Sequence, residues 1–145
     1  AELSEKDETL KEFYTLQENG FYTLNGDADK AQARKVFESV GFSALNFTDS
    51  RGVFQYYNLK YLYENIQTAI ENGVKLLNIA TEPVSISEIY STITGEEFVN
   101  EIAPQPPYYD FCTKHSRIFG GENGYIQTKE FVLNDIREYI AEMTK

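Results

Sequence analysis

The chain has no tryptophan and only one cysteine, one histidine and one methionine among its 145 residues. A single cysteine, Cys112, excludes an internal disulfide and makes a reducing compartment the expectation. The single histidine, His115, leaves any histidine-based metal site dependent on carboxylates. No stretch approaches the roughly 18 apolar residues of a membrane-spanning helix, and the N-terminus has no apolar signal region. Basic residues are scarce too, 13 against 23 acidic ones, for a formal charge of −10. With no run of Lys or Arg, the surrounding field repels phosphate backbones. The expectation is a soluble, cytoplasmic protein with neither nucleic acid nor membrane among its partners.

What is present fits a globular α/β protein. Hydrophobic residues make up 41% and charged residues 25%, with 11 Tyr and 10 Phe supplying large apolar faces. We expect one domain over 1–145, in three stretches. In 1–41, Ser4 with Leu10, Phe13, Tyr14 and Gln17 predicts a helix from about 4 to Asn19, stopped by Asn19-Gly20. A second helix over 29–40, burying Ala33, Val36 and Phe37, completes a helical pair. In 42–100 the pattern predicts strands at 42–47 and 53–57, then an Asn58-capped helix with Leu59, Leu62, Tyr63, Ile66 and Ile70 on its apolar face. In 101–145, Pro104, Pro106 and Pro107 make 102–109 an extended loop, either functional or a stiff strap. A short helix over 111–119 and a Thr128-capped helix carrying Phe131, Val132, Ile136 and Ile140 follow.

The most informative stretch is 74–89. Val74, Leu76, Leu77 and Ile79 predict a strand, Ala80-Thr81-Glu82-Pro83 a turn, and Ser85 the cap of a helix with Ile86, Ile89 and Ile93 inward. Upstream, Arg51-Gly52-Val53-Phe54-Gln55-Tyr56-Tyr57-Asn58-Leu59 leads into the preceding helix. In order and spacing, 51–94 resembles the C-terminal part of extended short-chain dehydrogenases, the NAD-dependent epimerase/dehydratase family. That family carries stretches of the form R-D-F-V-Y-V-D-D-V-A and Y-N-I-G-x-x-x-P-V-S-I-x-E-L. Here Gly52 replaces an Asp, Tyr57-Asn58 replaces paired Asp residues, and Ala80 replaces a Gly.

The resemblance implies a small sheet flanked by amphipathic helices, without the Gly-rich dinucleotide-binding half. It implies a substrate-binding role, with that N-terminal half as the missing partner and a sugar-nucleotide-like small molecule as reactant. NAD or NADP would belong to the full-length parent; none is expected in this chain. An excised piece would expose apolar surface, so a homodimer is a further implied partner. Arg51 maps onto the family's diphosphate contact, with Tyr109, Asp110, Lys114 and His115 lining the cleft opposite the cofactor. Beside it stands a structural reading in which Arg51 is a turn residue paired with Asp49.

The residues themselves carry no catalytic constellation. Gly120, Gly121 and Gly124 have the wrong spacing for a phosphate-binding turn. Tyr56/Lys60 and Tyr125/Lys129 match the family's Tyr-x-x-x-Lys spacing, but each Tyr precedes a helix start and lacks the required helical geometry. Cys112 and His115 would share a helical face three residues apart, without an orienting third group. The Glu2, Glu5, Asp7, Glu8 and Glu12 carboxylates read as a solvated face. We therefore expect an isolated chain without activity. The alternative is a free-standing interaction module on a dehydrogenase-like scaffold, using the proline loop and its tyrosines as the contact surface.

Overall fold

The computed structural model describes residues 11–41 and 43–144. It divides into two compact units, Ala1–Phe47 and Thr48–Lys145.

In the first unit, strands β1 (Tyr14–Leu16) and β2 (Tyr22–Leu24) pair antiparallel. Both read Tyr-Thr-Leu, and Thr15 faces Thr23. The expected helix to Asn19 is therefore corrected; its start at 4–10 lies outside the described residues. Asn19-Gly20 does not stop a helix but turns a hairpin: Gln17 N–H donates to Phe21 C=O at 2.8 Å, and Gly20 takes a φ of +81°. The aromatic and β-branched residues on both sides suit paired strands better than a helix. Helix α1 (Lys30–Ser39) forms as expected, with Asp29 accepting from Ala31 and Gln32 N–H. Its Phe37 meets Tyr14 edge to face at 5.6 Å beside buried Phe13 and Ala33. This local apolar cluster ties α1 to β1.

The expected strand 42–47 is instead a 3₁₀ turn over Ala44–Phe47, with Phe42 outside the described residues. Ser43 explains the change. Its hydroxyl accepts from Leu45 N–H at 3.3 Å and its carbonyl from Asn46 N–H at 3.0 Å, satisfying the backbone locally.

The second unit is built on β3 (Val53–Phe54) and β4 (Val84–Ser85), antiparallel, with Val53 opposite Ser85. Asn58 caps a 3₁₀ turn (Leu59–Tyr61) that runs into α2 (Leu62–Glu71). Ser85 caps α3 (Ile86–Thr94) in a reciprocal box with Glu88, and Gly95 ends it at φ +76°. A 3₁₀ turn (Ser116–Phe119) stands where the 111–119 helix was expected, before Thr128-capped α4 (Lys129–Met143). Helix α4 packs on α3 and β4, and the core contains Ala80, Val84, Ile126 and Val132. Among the described residues this is a small α/β fold of four α-helices and two antiparallel strand pairs.

Two expectations fail together here. Residues 74–79 form no strand, and Leu76 stands 86% exposed. A strand needs a neighbour, and none of the four described strands pairs with this stretch. The predicted apolar stripe of α2 also faces outward. Leu59 is 72% and Tyr63 73% exposed, Ile66 and Ile70 are exposed as well, and it is Ala69 that turns inward. The order strand, helix, strand, helix survives over 51–94 only because β4 supplies the second strand. No helix among the described residues is long and apolar enough to cross a membrane.

Candidate functional site

The proline segment is a strap, fastened parallel to 48–55. Its prolines carry no N–H, so side chains complete the ladder. Ser50 N–H donates to Asn100 C=O at 2.8 Å, Val53 N–H to Pro107 C=O at 2.9 Å, and Tyr109 N–H to Val53 C=O at 3.0 Å. The Gln55 amide exchanges both bonds with the Phe111 backbone at 2.8 Å, acting as a surrogate peptide group. Gly52 lets the strap pass close. A Cβ there would lie 3.0 Å from the Phe54 ring, 3.2 Å from Asp49 C=O and 3.5 Å from Pro107.

Asp49 anchors the start of this ladder. Nearly buried, it accepts from Ile102 N–H at 3.1 Å and Ala103 N–H at 2.9 Å. It also grips Arg51 bidentately, at 3.0 Å through Nε and 2.9 Å through Nη2. Hydrogen bonds from the Arg51 guanidinium, then from Ala103 N–H, hold its carboxyl far below the usual range. Arg51 in turn reaches Glu101 at 2.9 Å and Ala103 C=O at 2.7 Å. The fork is spent on two carboxylates and a carbonyl, the structural arrangement that the sequence left open.

The far end of the strap borders a cleft of about 250 Å³ lined by Val53, Glu82, Pro83, Ser85, Glu88, Tyr108, Asp110, Tyr125 and Lys129. The Tyr125 hydroxyl donates to Asp110 at 2.6 Å, and Lys129 Nζ pairs with Glu88 at 2.9 Å. Glu82 accepts the Lys129 N–H at 2.7 Å, a favourable place for a carboxylate at a helix start. The bond to Asp110, followed by burial and the Cys112 side chain, pushes the Tyr125 phenol well above its ordinary value. Burial alone would raise Glu88, but Lys129 and the Ser85 bonds outweigh it and keep the carboxyl low.

Of the sequence-predicted site residues, only Asp110 lines this cleft. Tyr109 lies beside it, stacked on Phe54 at 5.5 Å and on Phe111 at 6.1 Å. Exposed Lys114 and half-buried His115 sit on the turn beyond Thr113, where the His115 N–H donates to the Thr113 hydroxyl at 3.2 Å. Because 111–113 is not helical, Cys112 and His115 share no helical face. The cleft's other groups, Ser85, Glu88, Tyr125 and Lys129, arrive from segments that the sequence had marked only as a cap, a turn and a spacing match.

Tyr125 and Lys129 do meet in one cleft, yet their chemistry runs against proton transfer. A catalytic tyrosine needs a lowered pKa, whereas Asp110 raises this one, and the Lys129 ammonium is engaged by Glu88. Three carboxylates against one ammonium also disfavour an anionic ligand. What the cleft offers is hydrogen-bond donors and acceptors held in place by one another. Among the described residues, no group of three or more His, Cys, Asp or Glu is placed to hold a metal ion.

A second concavity, a groove of about 530 Å³, runs between 56–59 and α4, lined by Tyr56, Tyr57, Leu59, Ile136, Tyr139 and Ile140 among others. Lys60 and Tyr61 both bond Asp135 at its floor. Compared with known protein families, curated proteins and solved structures, the chain matches none.

Proposed function

We propose that this chain is the substrate-side unit of an NAD(P)-dependent epimerase/dehydratase-like oxidoreductase, working against a separate dinucleotide-binding unit. The carrying observation is apolar surface left open: Leu76, in a stretch patterned as a strand and unpaired, and the outward Leu59, Tyr63, Ile66 and Ile70. Paired strands and amphipathic helices hide such surface, so an exposed stretch with both patterns is suited to a sheet edge and layer supplied by a partner. Support also comes from the β3–β4 pair and capped α3, which give 51–94 a strand before each of its two helices. In this reading the cleft at Asp110 and Tyr125 orients the hydroxyl groups of a small reactant. The partner unit holds NAD or NADP and performs hydride transfer.

The geometry favours a reactant recognised through hydroxyls over one recognised through a diphosphate, since Arg51 is already neutralised by Asp49 and Glu101. The test is a fluorescence titration of the purified chain with NADH, alone and joined to the segment encoded upstream of Ala1. Binding only after joining, with Ile66→Asp weakening it, is the expected result. Tight NADH binding or turnover by the chain alone overturns the proposal. So does an upstream segment without a Gly-rich strand-to-helix turn. The second reading, an interaction module without redox chemistry, rests on the same apolar face, and an NADH-silent joined protein would favour it.

A further inference from the structure

Strap and cleft are mechanically linked. Between Ala103 and Tyr108 the chain contains Pro104, Pro106 and Pro107, and a proline-rich segment of this kind behaves as a semi-rigid rod over several residues. At one end of the rod, Asp49 takes both the Ile102 and Ala103 N–H groups and orients Arg51 onto Ala103 C=O. At the other end, Tyr108 and Asp110 form a wall of the cleft, and Asp110 receives the Tyr125 hydroxyl. A rod gripped at Asp49 and bonded again to Val53 on either side of Tyr108 couples its two ends.

We infer that Asp49 is a positioning residue for the cleft: acting through Arg51 and the proline strap, it sets where Tyr108 and Asp110 stand. Asp49 does not line the cleft and touches no reactant. Its leverage comes from one carboxylate that accepts two N–H groups of the strap and also holds Arg51, which itself reaches the strap at Ala103 C=O. Neutralising it removes the bidentate grip on Arg51 and leaves one carbonyl oxygen to serve donors from Arg51, Ile102 and Ala103.

The inference rests on the cleft being the reactant site, but its test is read with no reactant present. A wrong ligand assignment therefore leaves the test intact. In Asp49→Asn, hydrogen exchange is expected to quicken about tenfold or more at the Tyr109 amide, the scale of a lost hydrogen bond to a charged group. The Ile126 amide, bonded to Ala80 C=O at 2.8 Å, should keep its wild-type rate. The Tyr125 phenol should ionise at lower pH as Asp110 drifts from it. Glu101→Gln, which keeps an acceptor for Arg51, should show the same pattern more weakly, and it serves if Asp49→Asn does not fold. A wild-type rate at Tyr109 in every variant that folds overturns the inference. So does equal acceleration at Tyr109 and Ile126, the signature of general destabilisation.

Discussion

At the scale of single residues, charge is held by geometry. Asp49 has its carboxyl depressed by Arg51 and by strap N–H groups, so its ionised form is favoured in the folded chain. The contribution is complete above the unfolded carboxylate value of about 4 and fades as pH falls through the lower folded value. Urea unfolding between about pH 5 and pH 2 should therefore show stability declining with acidification. The slope should be shallower in Asp49→Asn, and equal slopes in the two proteins would contradict this assignment. Gly121 sets a steric limit beside the cleft. A Cβ there would fall 2.0 Å from Tyr125 C=O, so Gly121→Ala must displace the turn that carries Tyr125. A loss of about 1–3 kcal/mol in chemical denaturation is expected, the usual range for overpacking.

At the scale of elements, local signals and partner-dependent signals separate. Asn58, Ser85 and Thr128 were readable as caps because a cap is a bond between near neighbours, and all three accept backbone N–H groups. Ser85→Ala should lower stability by about 0.5–2 kcal/mol, measured by thermal unfolding, since it breaks the capping box of α3. Strands were less legible. Tyr14–Leu16 was hidden in a helical pattern, and Leu76 sits in a strand pattern with no strand to join. Pairing is decided by distant chain, which a periodicity cannot show. The outward face of α2 carries the same lesson. Leu59, Tyr63 and Ile66 do form a stripe, but a stripe does not state which surface it meets. Ile66→Asp should change the stability of the isolated chain by no more than about 0.5 kcal/mol, the usual range for exposed positions. A large loss in the same unfolding assay would mean that this face is packed within the chain.

At the scale of the whole molecule, the candidate site was legible in one residue and obscure in the rest. Asp110 stood out beside the proline segment, whereas Glu88 and Ser85 carried only a capping signal, and Tyr125 with Lys129 only a spacing. Their convergence depends on β3, β4 and the start of α4 meeting, a tertiary fact without a local mark. Two carboxylates neutralise Arg51, and one of them, Glu101, lies 50 residues along the chain. The most direct measurement of the central claim is backbone hydrogen exchange at 75–79, in this chain alone and joined to its upstream-encoded segment. The account predicts fast exchange alone and strong protection once joined, with the Ile86 amide unchanged. Exchange at 75–79 that stays equally fast in the joined protein would contradict it.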